Sequence, residues 1–219
     1  MTRNVLVVIG VGGMGQAIAR RQGTGAHVLA ADLNEELLES VTGQLRGEGY
    51  EVTSQVVDVS SRESVAALAA RAASLDEVRS VVHTAGLSPV QAPVRAVLAV
   101  DLLGVALVLE EFGQVVAPGG AGVVIASMAG HFQPAFAPED TLRLATTPAD
   151  ELLSLPITAE SNFAHPGHGY GFAKQANLLR VQAASTTWGA RAPGSTRSAP
   201  GSSRRSWDSP SSAASTAPS

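Results

Sequence analysis

The sequence predicts an α/β protein in which a parallel, doubly wound sheet lies between two layers of helices. Two observations support this prediction. Short, continuous apolar runs alternate with longer amphipathic segments along most of the chain, which is typical of strands buried on both faces between helices. The composition, 45% AVILMFWYC and 16% charged residues over 219 residues, is apolar enough for one folded core.

The predicted elements alternate between strand and helix. The strands are residues 5–9, 26–31, 51–57, 78–83 and 122–126. The helices between them are residues 14–21, 34–47 and 61–74, with one or two helices within 94–116. Gly47 marks the end of the second helix, and Ser60 or Ser61 marks the start of the third. Right-handed crossovers between consecutive strands make such a sheet parallel.

Several prolines interrupt the alternation between residues 131 and 168. Only one short helix, around residues 149–155, is predicted there, and we interpret the segment as an insertion near the carboxyl ends of the strands. A helical pattern returns at Tyr170. Its apolar residues are spaced for one face of a helix: Phe172, Ala173, Ala176, Leu179 and Ala183.

The last segment differs in composition, because no Val, Leu, Ile, Met or Phe follows Val181. A segment rich in Ser, Ala, Pro, Gly and Arg cannot offset its conformational entropy by burial. The sequence therefore predicts one domain over residues 1–191 and a disordered tail over residues 192–219. A flexible basic arm carrying Arg197, Arg204 and Arg205 is the alternative interpretation of this tail.

Composition also excludes several classes of function. The formal net charge of −4 offers no general attraction to nucleic acid or to anionic membranes. The absence of cysteine excludes disulfides, a thiolate nucleophile and cysteine-bound zinc, and it fits a reducing compartment. Arg3 and the apolar run after it imitate a secretory signal, but the glycines that follow would break its helix. We therefore expect a cytoplasmic protein without a membrane or nucleic-acid partner.

The segment Gly10-Val-Gly12-Gly13-Met14-Gly15 lies between the first predicted strand and the first predicted helix. In such a turn the first glycine permits the tight bend, the second admits a pyrophosphate, and the third lets helix and strand pack closely. The phosphates then lie at a helix N-terminus, where free N–H groups favour negative charge. The pattern predicts a dinucleotide site on a Rossmann-type, three-layer αβα fold, with a tight turn of an unrelated α/β protein as the alternative.

Asp32 follows the second predicted strand. A carboxylate at this position can accept hydrogen bonds from both hydroxyls of an adenosine ribose, and it repels a 2′-phosphate. The sequence therefore favours NAD over NADP as the cofactor. Arg20 and Arg21 nearby keep NADP open as the alternative.

Further short patterns occur later in the chain. Taken singly, each fits an ordinary turn or an amphipathic helix. In chain order they are Asp58-Val59, Ala85-Gly86, Ser127-Met-Ala-Gly130 and Tyr170-Gly-Phe-Ala-Lys174. Together with the glycine turn and Asp32, this order resembles the short-chain dehydrogenase/reductase family over about residues 1–191.

The resemblance implies an oxidoreductase that moves a hydride between NAD(P) and a carbonyl or secondary alcohol. Tyr170 would exchange a proton with the substrate oxygen, and Ser127 would hydrogen-bond that oxygen. Lys174 would favour the ionised phenol by its positive charge and would hold the nicotinamide ribose, so that Tyr170 and Lys174 also contact the cofactor. The family's pattern assigns four more residues to the cofactor site: Asp58, Val59, Ala85 and Gly86.

Three departures from the family's pattern affect the expected site. His83 and Thr84 stand where two asparagines are usual, and Asp101 stands where an asparagine usually completes a proton relay. An aspartate can still accept a hydrogen bond from water, so we expect the relay to survive with an altered pH dependence. The long segment between Ser127 and Tyr170 implies that the insertion shapes the substrate site. Its histidines are interpreted as loop polarity rather than as metal ligands: His131, His165 and His168.

The C-terminus is a further departure. Family members continue past the Tyr-Lys helix with strands and helices that line the substrate pocket and the subunit interface, and the sequence predicts that these C-terminal strands are missing. One choice of codons for residues 194–205, read in a shifted frame, gives Val-Asn-Ser-Ile-Ser-Pro-Gly-Ile-Ile-Ser-Thr, a segment of the family's kind. We therefore hypothesise a frameshift near residues 190–193, which resequencing of the locus would test.

The sequence thus predicts an NAD(P)-dependent oxidoreductase with a small-molecule carbonyl or alcohol substrate. A nucleotide-binding remnant or regulatory protein without turnover is the alternative, and a sugar-nucleotide epimerase relative is a third hypothesis. The family resemblance suggests a homo-oligomer, although the altered C-terminus removes the segment that would form part of its interface.

Overall fold

The computed structural model describes residues 3–90 and 92–190. Its described strands form one parallel sheet in the order β3-β2-β1-β4-β5. The strands are β1 (Asn4–Ile9), β2 (Ala26–Asp32), β3 (Glu51–Val56), β4 (Glu77–His83) and β5 (Val116–Val124). The first helices between them are α1 (Gly13–Gln22), α2 (Glu35–Gly47) and α3 (Arg62–Leu75). The α/β fold class predicted from the sequence is therefore confirmed.

Alternate residues of β1 point into two separate apolar cores. Val5, Val7 and Ile9 pack into the core that contains α3, whereas Leu6 and Val8 pack into the core under α2. All five side chains are buried. A strand buried on both faces reads as a continuous apolar run, which is why this strand could be predicted from the sequence.

The strand order reverses direction between β1 and β4, which are neighbours in the centre of the sheet. The chain winds from β1 outward to β3 on one side and from β4 outward to β5 on the other. In open parallel sheets, the loops at the carboxyl ends of the strands separate at this point and leave a crevice. The glycine turn after β1 and the segment after β4 face each other there.

A π-helical segment interrupts the helical path that follows β4. The path begins as α4 (Val94–Val97), continues through the π segment (Leu98–Leu103) and ends as α5 (Gly104–Val115). The sequence predicted one or two ordinary helices here. Short π segments occur often at functional sites, because the extra residue in the turn redirects the side chains around it.

The insertion contains more helix than the sequence predicts. The short helix α6 (Met128–His131) directly precedes it, and the insertion itself holds α7 (Pro138–Thr146), α8 (Ala149–Leu152) and short 3₁₀ turns at Pro156–Thr158 and Glu160–Asn162. The last described helix, α9 (Pro166–Gly189), begins before Tyr170. Pro138 and Pro166 each stand at the start of a helix, where the missing N–H costs nothing.

The prediction for β5 was wrong in its bounds. The strand begins at Val116 rather than at Gly122 and ends at Val124. It lies at the edge of the described sheet, and its register against β4 shifts between Val78 and Ser80. An edge strand tolerates Pro118 and an irregular register, which the sequence pattern does not signal. The predicted disorder and the hypothesised frameshift concern residues that lie almost wholly outside the described part of the chain.

Charged and apolar contacts attach the insertion to the helices beneath it. The buried Arg180 of α9 donates to the backbone oxygens of Leu144 and Thr147, and its guanidinium lies 3.1 Å from Glu110 of α5.

Within residues 3–90 and 92–190, no helix has both the length and the apolarity to cross a bilayer.

The contact of Gly15 in α1 with the turn before it yields the first prediction. A Cβ at Gly15 would lie 1.9 Å from the Gly10 carbonyl oxygen, whereas a Cβ at Gly13 would meet no atom within 4 Å. We expect Gly15→Ala to lower the free energy of unfolding by about 1–3 kcal/mol, because backbone must move. The matched Gly13→Ala should change it by less than about 0.5 kcal/mol. Urea denaturation of both variants checks this, and equal effects would contradict it.

Candidate functional site

The turn between β1 and α1 is shaped by two glycines that pack against backbone. Gly10 has a φ of 92°, and a Cβ there would lie 2.5 Å from the Ala85 nitrogen. Gly15 packs on the Gly10 carbonyl in the same way. These two glycines therefore bring the start of α1 directly against the ends of β1 and β4.

The other two glycines of the turn face open space. A Cβ on Gly12 or Gly13 would meet nothing within 4 Å. Gly12 is the N-cap of α1 with no side-chain cap, and the first turn holds no acidic residue. Met14 in that turn is 56% exposed. The N-terminus of α1 thus presents free N–H groups and the positive end of the helix dipole to an accessible space, as an anion site requires.

Thr84 fastens the segment after β4 to the glycine turn. Its hydroxyl donates to the Gly10 carbonyl oxygen at 2.6 Å, and its backbone N–H donates to the Ile9 oxygen at 2.7 Å. The Ala85 N–H shares that acceptor at 2.9 Å. Thr84 therefore fastens the end of β4 to the glycine turn, and its hydroxyl lies 3.1 Å from the position of a Cβ on Gly15 of α1. From the sequence, Thr84 was noted only as a departure from the family's pattern.

A cleft of about 260 Å³ opens between these segments. It brings together seven residues that the sequence assigned to the cofactor site: Gly10, Gly12, Asp32, Asp58, Val59, Ala85 and Gly86. The apolar part of the lining was not predicted from the sequence. Those residues are Leu33, Leu37, Val57, Leu87 and Val100, with Thr84 as a polar addition. Leu33 is 65% exposed beside Asp32, and an exposed large apolar residue next to a site carboxylate is a signal that could have found it.

The Asp32 carboxylate is held at the cleft wall by backbone. Its Oδ2 accepts from the Val11 N–H at 2.8 Å, and its Oδ1 accepts from the Asn34 N–H at 3.0 Å. Arg20 points elsewhere, because its guanidinium bonds Glu48 at 2.8 Å. No basic residue is among the described residues that line the cleft. The cleft therefore carries net negative charge near Asp32.

Asp58 also has a local structural role. Its Oδ1 accepts from the Ser60 N–H at 2.9 Å and from the Ser60 hydroxyl at 2.7 Å, which forms the turn before α3. One of its oxygens is therefore used by the fold, while the residue itself still lines the cleft.

Lys174 lies where the cleft meets α9. Its Nζ is 2.9 Å from Asp101 Oδ1, at ion-pair distance although without hydrogen-bond alignment, and the two side chains are 7% and 0% exposed. The same Nζ is 5.4 Å from the centroid of the Tyr170 ring. A Cβ on Gly86 would lie 3.5 Å from it. The structure thus brings Tyr170, Lys174 and Asp101 together with a residue of the cleft.

Asp101, to which the family resemblance gives a place in a proton relay, makes direct contacts with three residues. One carboxylate oxygen faces Lys174 directly, and the other accepts from the Leu87 N–H at 2.9 Å. Its backbone oxygen accepts from the Asn177 side chain at 2.7 Å. Asp101 lies in the π segment and is fully buried, so both of its carboxylate oxygens face protein groups.

Ser127 is half-buried at the start of α6, and its Oγ accepts from the Ala129 N–H at 3.2 Å. Two glycines press α6 against α9. A Cβ on Gly130 would lie 2.7 Å from the Gln175 nitrogen, and one on Gly171 would lie 3.2 Å from the Ala129 oxygen. Because Gly171 follows Tyr170, this packing places the Ser127 end of α6 beside the Tyr170 turn of α9.

His83 ends β4 and is fully buried, with Nε2 lacking a hydrogen-bond partner. Burial, with the positive charge of Lys174 as the second cause, lowers the pKa of His83 to about 4. The imidazole is therefore neutral at neutral pH and adds no charge to the site.

Two of the three histidines predicted to be loop residues make local contacts at the start of α9. The His165 side chain caps α9 by accepting from the His168 N–H at 3.2 Å, and the His168 ring packs edge-on against Phe163. His131 is exposed at the end of α6. In the described part of the chain, no three His, Asp or Glu residues form a group that could hold a metal ion.

Comparison with known proteins identifies the family of this chain. A family model described as short chain dehydrogenase matches residues 3–138. The short-chain dehydrogenase/reductase bsc3 of Alternaria brassicicola is 41% identical over 192 residues, which are 87% of this chain and 70% of that protein. The chain therefore belongs to the short-chain dehydrogenase/reductase family.

Solved structures show the same fold. A short-chain dehydrogenase/reductase from Burkholderia phymatum in complex with NAD is 28% identical with a TM-score of 0.55, and the match covers 61% of this chain and 52% of that one. A metagenomic short-chain oxidoreductase with NADP is 23% identical with a TM-score of 0.63, covering 88% and 82%. An actinorhodin polyketide ketoreductase with NADPH is 23% identical with a TM-score of 0.61, covering 85% and 65%. This chain thus spans about half of the Burkholderia protein.

The buried His83 makes stability depend on pH. The unfolded chain protonates His83 near the ordinary pKa of 6.5, whereas the folded chain does so only near pH 4. The free energy of unfolding therefore falls by about 3 kcal/mol as the pH falls from about 6.5 to 4, because the unfolded chain binds the proton and the folded chain does not. We expect His83→Asn to remove this part of the pH dependence in urea denaturation at several pH values. The same pH dependence in both proteins would contradict the assignment.

Proposed function

We propose that this chain is an oxidoreductase that uses a nicotinamide dinucleotide to interconvert a carbonyl and a secondary alcohol, with Tyr170 as the acid/base. The proposal rests mainly on the position of Lys174. Its Nζ lies near both the Tyr170 ring and the Gly86 end of the cleft. The phenol and the cleft therefore adjoin each other through one buried ammonium. The proposal assigns the activity to a single domain over residues 1–191.

The residues of the cleft fit a dinucleotide. Gly12 and Gly13 leave unfilled space in front of the uncapped N-terminus of α1, where a pyrophosphate is favourable. Asp32 stands at the wall, and the exposed apolar side chain of Leu33 beside it can cover a flat ring. The open space at Gly12 and Gly13 and the exposure of Leu33 serve no packing purpose among the described residues. They support a cofactor with a phosphate bridge and an adenosine end.

The nicotinamide would supply or accept the hydride when it is bound. Tyr170 would give its proton to the substrate oxygen during reduction and take it back during oxidation. Lys174 stabilises negative charge on the phenol oxygen by its own positive charge. Ser127, at the start of α6, would donate a hydrogen bond to the substrate oxygen and orient it. Residues 131–168 would form the wall beside the substrate, since α6 packs on α9 next to Tyr170.

The cofactor is proposed to be NAD rather than NADP. The Asp32 carboxylate repels a 2′-phosphate, and Arg20 is occupied by Glu48. The related structures are described with NAD, NADP or NADPH, so the family alone does not decide between them.

A nucleotide-binding remnant without turnover is the competing function. It is favoured by one observation, the direct ion pair of Lys174 with Asp101, which offsets the positive charge that Tyr170 needs. Turnover, not cofactor binding, separates the two functions.

Removal of the Tyr170 hydroxyl tests the reaction. We expect Tyr170→Phe to lower kcat/KM for a ketone or aldehyde by about 10²–10⁴-fold, because the proton donor is lost. Cofactor affinity should change little, since the ring remains. NADH oxidation with a panel of carbonyl substrates measures the first effect, and fluorescence titration of NADH measures the second.

Tyr50→Phe is the matched control, because Tyr50 is the other tyrosine and its hydroxyl bonds the Arg20 oxygen at 2.8 Å, away from the cleft. It should retain full activity. If the wild type turns over no faster than Tyr170→Phe, the proposed reaction is contradicted and the chain is a nucleotide-binding remnant.

Asp32→Asn tests the choice of cofactor. The amide keeps an acceptor for backbone but loses the negative charge, so we expect the ratio of the Kd for NADP to the Kd for NAD to fall at least ~10-fold. Calorimetric titration with both cofactors measures the ratio. Glu36→Gln removes a charge from the exposed first turn of α2 and should leave the ratio near that of the wild type. An unchanged ratio in Asp32→Asn would contradict this assignment.

A further inference from the structure

The carboxylate of Asp101 compensates the one ammonium that faces Tyr170. Lys174 Nζ lies 2.9 Å from Asp101 Oδ1 and 5.4 Å from the centre of the Tyr170 ring. Both members of the ion pair are buried, so water screens their charges little. The phenol therefore experiences the field of a pair rather than that of an isolated cation.

The fold holds Asp101 in this position from three sides. The Leu87 N–H binds its second carboxylate oxygen, and the Asn177 side chain binds its backbone oxygen. A Cβ on Gly86 would come within 2.7 Å of Oδ1, so only glycine leaves room for the carboxylate. The π segment supplies the turn that points Asp101 inward. The compensation of Lys174 is consequently a fixed feature of the site.

The other buried titratable group beside Lys174 carries no charge. His83 has its pKa lowered to about 4 by burial, with the Lys174 charge acting in the same direction. It is therefore neutral wherever Tyr170 could ionise. The local charge balance beside Tyr170 reduces to Lys174 and Asp101.

The elements packed against α9 are α4, the π segment, α5, α6, α7 and β5. Five other charged side chains on α9 or on these elements form ion pairs away from Lys174: Glu110, Glu111, Glu139, Arg143 and Arg180. Arg95 and His131 are exposed. Asp140 and His168 line a separate pocket with Phe172. His168 is two residues from Tyr170 in the sequence, so the two side chains point to different sides of α9.

We propose that Asp101 sets the pH range in which Tyr170 exchanges its proton, by neutralising Lys174 from within the core. Asp101 is a positioning residue, because it acts through Lys174 and does not touch the reacting atoms. The proposal rests on the proposed role of Tyr170 as the acid/base. With Asp101 in place, the phenol loses its proton to the substrate oxygen next to a compensated ammonium. Without it, the phenolate would face an uncompensated one and would form at lower pH.

The composition of the chain permits a direct test, since Tyr50 and Tyr170 are its two tyrosines. In a Tyr50→Phe background, the ultraviolet absorbance of tyrosinate reports Tyr170 alone. We expect Asp101→Asn to shift the midpoint of this titration to lower pH by about one unit, the order of magnitude of a unit charge removed several ångströms away at an effective dielectric constant of ~20. Glu110→Gln removes an equal charge farther along the fold and should leave the midpoint in place.

Circular dichroism establishes that each variant is folded, and Asp101→Ser provides the same loss of charge if the amide variant does not fold. An unmoved midpoint, or a shift to higher pH, would overturn the proposal. The titration needs neither cofactor nor substrate, so its outcome is independent of turnover. If the midpoint moves and no carbonyl is reduced, the proposed function fails while the role of Asp101 stands. If turnover is present, the pH dependence of kcat/KM should shift along the pH axis together with the midpoint of the Tyr170 titration.

Discussion

The buried ion pair between Lys174 and Asp101 connects three parts of the chain that are distant in the sequence. Asp101 belongs to the π segment, Lys174 to α9, and the Gly86 backbone after β4 leaves the space in which they meet. Removing two charges from water is costly, and the cost is recovered only while the charges remain together. Displacement of α9 from the sheet would leave one buried charge without its partner. The position of Tyr170 relative to the cleft therefore follows from where Lys174 must be.

The glycines divide into those that the fold needs and those that it does not. Gly10 and Gly15 pack on backbone, and a side chain at either would push apart the elements they join. Gly12 and Gly13 face open space, so their lack of a side chain does nothing for protein packing. This contrast separates stability from ligand binding within one short turn. It supports a bound phosphate group more directly than the pattern of glycines does.

β1 and β2 could be predicted because they are buried on both faces and read as apolar runs. The bounds of the edge strand β5 could not, since Pro118 and its glycines resemble a loop unless the neighbouring strand is known. The early start of α9 was missed because Pro166 reads as an interruption, although proline is favourable in the first turn of a helix. The glycine turn and Asp32 were found from local spacing. The contact of Asp101 with Lys174 was not, because a π segment has no clear pattern in the sequence and the two residues are distant along the chain.

A crystal structure of the full chain with NAD would show directly whether the cleft and Tyr170 form one site. We expect the pyrophosphate in front of Gly12 and Gly13, the adenosine ribose at Asp32 and the nicotinamide next to the Tyr170 hydroxyl. A dinucleotide bound elsewhere, or bound with its nicotinamide out of reach of Tyr170, would contradict it.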